Sequence, residues 1–326
     1  MLSVYRAMVA GVLAVSTASA NAQAVPGQTY PVKPIRLVLP YPPGGGTDRI
    51  ARTLAQKLAE NFGQQVIVEN RPGAGGNIGM ELVTRSAPDG HTLALGLTAQ
   101  FAVNPSLYPK LPYDPVRDFA PVTLLARNPY LLLAHPSLPA KSVKELIALA
   151  RGRAGELTFA SSGSGSGAHL AGETLKTMAR INLVHVPYKG AAPGIIDLVA
   201  GHVHVSFFVW SSTGPLIKTG RLRALGVTTA KRSPALPDLP SIAETLPGYD
   251  LSVWYGVAAP AGTPREIIAR LSAEILRVLA APDFRQRIGD EAVETIGGTP
   301  GEFGDYIRSE IVKWAQVVKA SGAKID

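Results

Sequence analysis

The 326-residue chain contains no cysteine. That excludes a disulfide scaffold, a zinc–thiolate site and a cysteine nucleophile. Charged residues are scarce at 17% and aromatic residues make up only 6%. So few aromatics argue against a stacking surface for single-stranded nucleic acid. The net charge is +8, yet the basic residues are scattered. They are densest at Arg151/Arg153, Arg221/Arg223 and Lys231/Arg232, without the patch or stripe of a nucleic-acid binder. A mild cationic excess does suit long-range attraction of small anions. No apolar run is long enough to span a membrane. What is plentiful is apolar residues and glycine. At 46% hydrophobic residues the chain is not disordered, and its length allows about two domains.

Residues 1–24 read as a secretory signal peptide. Arg6 supplies the positive start and Met8–Val15 a short apolar stretch. Ala18-Ser19-Ala20 and Ala22-Gln23-Ala24 both fit a small-residue cleavage site. The mature protein is therefore expected to be soluble and exported to the periplasm.

Strand-like apolar runs alternate with helix-period segments, the pattern of α/β units with parallel sheet. The runs are Ile35–Leu39, Val66–Val68, Thr92–Leu97, Leu131–Ala134, Leu157–Ala160, Leu183–Val186, Val203–Val209 and Ala224–Thr228. Thr47 is expected to cap a helix with Ile50, Leu54 and Leu58 on one face, stopped by Gly63. Ser142/Glu145 and Thr263-Pro264-Arg265-Glu266 read as capping boxes. Ile307, Ile311, Trp314 and Val318 form the buried stripe of the last helix. Two segments read as passages between lobes. One is the pair of runs Pro121–Ala126 and Tyr130–His135, broken by Asn128-Pro129; the other is Leu251–Ala259. The expected division is residues 25–126 plus 251–326 as a discontinuous first lobe, and 127–250 as the second.

Three strand-to-helix junctions are rich in glycine and hydroxyl residues: 40–48, 70–79 and 161–169. Each leaves free backbone N–H groups at a helix start, where the helix dipole adds positive charge. In open α/β sheets such loops lie at the carboxyl ends of the strands, where ligands bind. Together they imply recognition of a small anion by backbone and hydroxyl donors. Asp48 complicates this, because a carboxylate there repels an anion; it would have to pair with Arg49 or Arg52, or accept a hydrogen bond from a ligand hydroxyl or amine. Gly163–Ala168 also satisfies the G-x-G-x-x-A pattern of a dinucleotide fold, but Val184–Lys189 lacks the acidic ribose partner. No P-loop or G-x-S-x-G elbow is present. His202 and His204 lack a third ligand for a metal, and no nucleophile–base pair stands out. No cofactor, metal site or catalysis is expected.

At these residues the sequence resembles a known family. YPPGGGTD (41–48), VIVENRPGAGGNIG (66–79), SSGSGSGAHLAGE (161–173) and VPYKGAAP (186–193) are similar to the substrate-binding receptors of tripartite tricarboxylate transporters, the TctC-like or Bug proteins. PDGHTLALG (88–96), the segment 222–244 and WYGVAAPAGTP (254–264) extend the likeness over nearly the whole mature chain. The resemblance implies a type II periplasmic binding-protein fold, two α/β lobes with a hinge, closing on a small organic acid. It implies ligand contacts from Tyr41, Gly44, Gly45, Gly46, Thr47, Asp48, Asn77 and Thr98 on the first lobe. On the second it implies Ser162, Ser166, His169, Tyr188 and Gly190, although Tyr188 could only pack and Gly190 only turn. Relatives commonly carry Phe-Asp after the strand at Val203–Ser206, where this chain has Phe207-Phe208. A pocket with Phe208 and no acid there should bind amino acids poorly and favour a plain or partly apolar carboxylate. The implied partners are membrane permease subunits, or a membrane-bound sensor, with the receptor itself a monomer. The competing reading is an exported dinucleotide-dependent oxidoreductase.

Overall fold

The structure, a computed structural model, describes residues 30–323; the expected signal peptide at 1–24 lies outside the described residues. Strand β1 (Ile35–Leu39) leads into helix α1 (Gly46–Phe62), and β2 (Val66–Asn70) into α2 (Asn77–Thr84). After β3 (Thr92–Leu97) come a wide helical turn at Ala99–Val103 and the short helix α3 (Asn104–Leu107). The long strand β4 (Phe119–Ala134) is followed by α4 (Val143–Gly152), β5 (Thr158–Ser161), α5 (Gly167–Ala179), β6 (Val184–Pro187) and α6 (Ala191–Ala200). Next are β7 (Val205–Val209), α7 (Trp210–Lys218) and β8 (Arg223–Val227). The chain returns through β9 (Ser252–Pro260), α8 (Arg265–Ala280), α9 (Pro282–Gly289), β10 (Glu294–Thr295) and α10 (Pro300–Ser321).

The sheet runs β2-β1-β3-β9-β4-β7-β5-β6, with β8 and β10 also paired to β4. At one end β1 is parallel to β2 and β3; at the other β5 is parallel to β6 and β7. β4 joins these halves. It pairs with β9 from Phe119 to Pro129, then with β7 from Tyr130 to Ala134. The break expected at Asn128-Pro129 is thus absent, and one strand continues through it. Proline has no N–H to give a ladder. Pro129 sits where that costs least, at the last pair of one ladder (Pro129↔Ser252) beside the first of the next (Tyr130↔Val209).

Helix α1 buries Ile50, Leu54 and Leu58, and ends at Gly63 with φ 65°. Its cap position belongs to Gly45 and not to Thr47, which lies inside the first turn. Asp48 explains the shift: its Oδ2 accepts the Gly44 N–H at 3.0 Å, so a carboxylate organises this helix start. The capping box expected at Thr263 does not form. Its hydroxyl donates to the Pro260 carbonyl, and Pro264 takes the cap position. At Ser142 only half the box exists, because the Glu145 carboxylate accepts from Lys141 N–H instead. A complete box, Thr299 with Glu302, starts α10.

Two apolar cores result. One joins α1, α8 and α9 to β1 and β3, around Leu37, Leu54, Leu93 and Leu271. The other runs unbroken from Phe101, Trp254 and Phe303 to Leu132, Phe159 and Leu175. Phe101 stacks on Trp254, centroids 5.9 Å apart and 11° from parallel, and Phe303 meets both edge-on. Ile307, Trp314 and Val318 of α10 are buried in this core, with Ile311 partly so. Helix α10 packs against both α5 and β4, and so touches both halves of the sheet. Among the described residues no helix is long and apolar enough to cross a membrane.

Candidate functional site

A cavity of about 470 Å³ opens between the two halves of the sheet. It lies at the carboxyl ends of β1, β3, β5 and β7, the end at which open α/β sheets bind ligands. Four helices begin at its wall. α1 contributes Thr47, α5 its cap Ser166 with Gly167 and Ala168, α6 Ala191, and α7 its cap Val209 with Ser212. The first N–H groups of each helix have no partner within it. All four dipoles therefore present their positive ends to one space.

None of the described residues lining the cavity is charged. Three tyrosines supply polar tips instead. Burial raises the phenol pKa of Tyr41, Tyr130 and Tyr255, the last to about 12, so each keeps its proton at neutral pH. Gln100 Nε2 donates to the Tyr41 oxygen at 3.2 Å, which leaves the Tyr41 proton free for a ligand. The Tyr130 hydroxyl packs against the start of α5. A Cβ on Gly167 would fall 2.0 Å from that oxygen, so any larger residue would have to push the phenol aside. Phe208 closes the wall from β7 and Trp314 from α10.

Of the residues expected at the site, Tyr41, Thr47, Thr98, Ser162, Ser166 and Phe208 line this cavity. Thr98 also ties β3 to β9, its hydroxyl donating to Ser252 O and accepting Trp254 N–H at 2.8 Å. The others do not line it. Gly44, Gly45 and Gly46 form the turn into α1. Asp48 is buried beneath them and accepts from Gly44 N–H, Arg52 Nε and Asn70 Nδ2. Burial alone would raise its pKa, but these donors outweigh it and bring the group down to about 2. The carboxylate's charge is thus answered locally. Asn77 Oδ1 accepts from Asn104 Nδ2 and the Tyr113 hydroxyl. The Tyr188 hydroxyl donates to Asp197 Oδ2 at 2.6 Å, and Gly190 N–H reaches Ser162 O.

His169 supports the third loop from below. Its Nδ1 accepts the Gly165 N–H at 3.0 Å while its own N–H meets the Ser166 cap oxygen. The ring stacks on His185, centroids 3.9 Å apart and 10° from parallel, and Phe159 stacks on His185 in turn. His185 Nε2 lies 2.6 Å from Ser161 Oγ. Burial, then His169, then Lys176 push His185 down to about 4. Burial, helped by Lys176 and opposed by Glu173, lowers His169 as well. Both rings are neutral in the folded protein near pH 7. Unfolded histidines titrate near pH 6.5, so below that the unfolded chain binds more protons. Stability should therefore fall as pH drops from about 6.5 to about 4, by about 2 kcal/mol after allowing for partial exposure. Urea titrations across this range check it: His185→Phe should show a flatter pH dependence than the parent, and an equal slope would contradict it.

His204 Nδ1 pairs with Thr158 and His202 with Asp197, both outside β7. Among the described residues no cluster of three metal-ligating side chains occurs. Several lining residues carried no sequence signal. Ser212 follows no glycine motif, and Tyr130, Ser252 and Tyr255 sit in the strands that cross between the halves.

A sequence profile described as tripartite tricarboxylate transporter family receptor matches residues 50–323. A UPF0065 protein from the tcbD–tcbE intergenic region of Pseudomonas sp. strain P51 is 42% identical over 316 residues, 96% of this chain and 93% of its own length. Among solved structures, R. palustris Rpa4515 with adipate aligns at a TM-score of 0.81 and 39% identity, covering 91% of this chain and all (100%) of its own. MatC from Rhodopseudomonas palustris with bound malate aligns at 0.75 and 33% identity, covering 89% and 100%.

Proposed function

The chain belongs to the tripartite tricarboxylate transporter receptor family, and from that premise we propose that it captures a small organic acid in the periplasm and delivers it to a membrane permease. Members of the family are solute-binding receptors and not enzymes, so the dinucleotide-dependent oxidoreductase is set aside. The fold is the two-lobed α/β architecture of periplasmic binding proteins. The observation that carries the reading is the uncharged cavity ringed by four helix starts. A carboxylate there meets backbone N–H groups, serine and threonine hydroxyls and protonated phenols, with ordered water completing the shell. No cation has to be desolvated with it.

The lobes in this proposal are 25–126 plus 251–326, and 127–250. Their hinge is the pair of crossings where β4 changes partner at Pro129–Tyr130 and where the chain enters β9 at Ser252. Closure is driven by contacts the ligand makes better with both lobes than with one. Export rests on the signal-like residues 1–24, and the receptor acts as a monomer.

A thermal-shift panel on protein lacking residues 1–24 tests the reading, with mono-, di- and tricarboxylates, aromatic acids, amino acids and NAD(P). A ligand at a hundred times its Kd should add about 2.7 kcal/mol of stability. The expected result is a rise confined to carboxylic acids, with amino acids weak because Phe208 offers no partner for an amine. A rise with NAD(P) alone, or no response to any acid and no acid co-purifying by mass spectrometry, overturns it. A receptor that feeds a membrane-bound sensor would bind the same acid, but its deletion would leave uptake unchanged.

A further inference from the structure

A second cavity, of about 390 Å³, adjoins the first. The two share Tyr41, Gly75, Ala99, Gly165 and Ser166, which form a throat between them. The outer chamber is bounded by Pro42 and Pro72 from two glycine-rich loops, and by Leu107 and Tyr108 at the end of α3. Pro42, Pro72 and Ser164 at its rim are exposed, so the chamber is the cleft's mouth. Gly165 narrows the throat: a Cβ there would fall 2.9 Å from Leu107 Cδ1, and its φ of +74° is one that other residues rarely adopt.

The two chambers differ in chemistry. The starts of α1, α6 and α7 line the inner one alone and Ser166 at the start of α5 lines both, while the outer one adds the Gly76 cap of the short helix α2, so the carboxylate belongs in the inner chamber. The outer chamber has no charged lining residue among those described. The Asn104 amide is committed to Asn77 and Gly75. A second carboxylate in the outer chamber would meet no charged partner and gain little over water, whereas hydrocarbon would cover itself against Pro42, Pro72 and Leu107. Resting on the organic-acid reading, we propose that the ligand is an elongated acid with its carboxylate in the inner chamber and an apolar tail or ring passing the throat to lie on Leu107. Leu107 is then a specificity-determining residue, selecting for the length of the acid.

Titration calorimetry with butanoate, decanoate, phenylbutanoate, adipate and sebacate tests this on the parent and on Leu107→Trp, which fills the outer chamber. The parent should bind decanoate or phenylbutanoate at least tenfold more tightly than butanoate, and more tightly than the dicarboxylate sebacate. Leu107→Trp should weaken the long monocarboxylates about tenfold and change butanoate by less than about twofold. Leu107→Ala, which enlarges the chamber, should also weaken the long acids and spare butanoate. Equal affinities for long and short acids, or variants that weaken all acids alike, overturn the proposal while leaving the receptor reading intact. Failure of every acid to bind overturns the receptor reading itself.

Discussion

Replacing Ser166 with aspartate is expected to weaken binding of the organic acid proposed for this cavity about a hundredfold or more while leaving the fold as stable as before. Ser166 caps α5 by accepting the His169 N–H, and aspartate caps a helix as well as serine does. The local structure therefore has no reason to change. The electrostatics do. Ser166 lines the cavity with no charged neighbour in the lining to absorb a new carboxylate. Two like charges about 4 Å apart repel by about 4 kcal/mol at an effective dielectric of 20. About two-thirds of that is a hundredfold in Kd. Calorimetric titration alongside thermal melts separates the two effects. Full binding by a well-folded Ser166→Asp protein would place the acid elsewhere, and Ser166→Asn, an uncharged cap of similar size, should retain most of the affinity.

That experiment exploits a feature the sequence displays openly. Ser166 stands in a glycine–serine tract directly after an apolar run and before a helical one, and strand–loop–helix order is enough to place such a tract at the ligand end of an α/β sheet. Tyr41 and Thr47 are legible for the same reason. The wall opposite is not. Ser212 and Val209 belong to the start of α7, where Val-Trp-Ser-Ser carries no glycine and no capping signal. Tyr130, Ser252 and Tyr255 come from strands brought together only by the β4–β9 and β4–β7 pairings. Such contacts join residues from 71 to 141 positions apart, and no local pattern encodes them.

Polar residues that read as ligand contacts but do not line the cavity share one cause. Each had a closer partner than the ligand: Arg52, Asn70 and the Gly44 amide for Asp48, the Gly165 amide for His169, and Asp197 for Tyr188. A glycine-rich loop at a ligand site must itself be held in shape, and these side chains supply the hydrogen bonds that hold it. From sequence, a residue that supports a loop and a residue that faces through it look the same. The break anticipated at Asn128-Pro129 went the same way, because proline's missing donor matters only if the position needs one, and register decides that.

Glu310 shows the limit most sharply, and its removal is expected to be the most damaging single change to stability argued for this fold. It lies on the α10 face read as an apolar stripe, and it is 5% exposed. Its Oε2 accepts from Trp254 Nε1 and from Trp314 Nε1, each at 2.9 Å. Its Oε1 meets Lys313 Nζ at 3.1 Å, and that ammonium lies 3.7 Å from Asp250. One carboxylate thus fastens an indole of β9 to an indole of α10 beside the crossing into β9. Glu310→Ala would leave two buried indole N–H groups unpaired and open a cavity between the rings. The cost should be about 3 kcal/mol, a fall in Tm of about 6 °C. Glu310→Gln keeps an acceptor oxygen for the indoles but loses the charge assistance, and should cost about 1 kcal/mol. Because Trp314 also lines the cavity proposed to hold the acid, the alanine variant should weaken acid binding together with stability, and indole fluorescence should report a wetter environment. Melting of Glu310→Ala at the parent temperature would mean that water satisfies both indoles, and that the carboxylate fastens nothing.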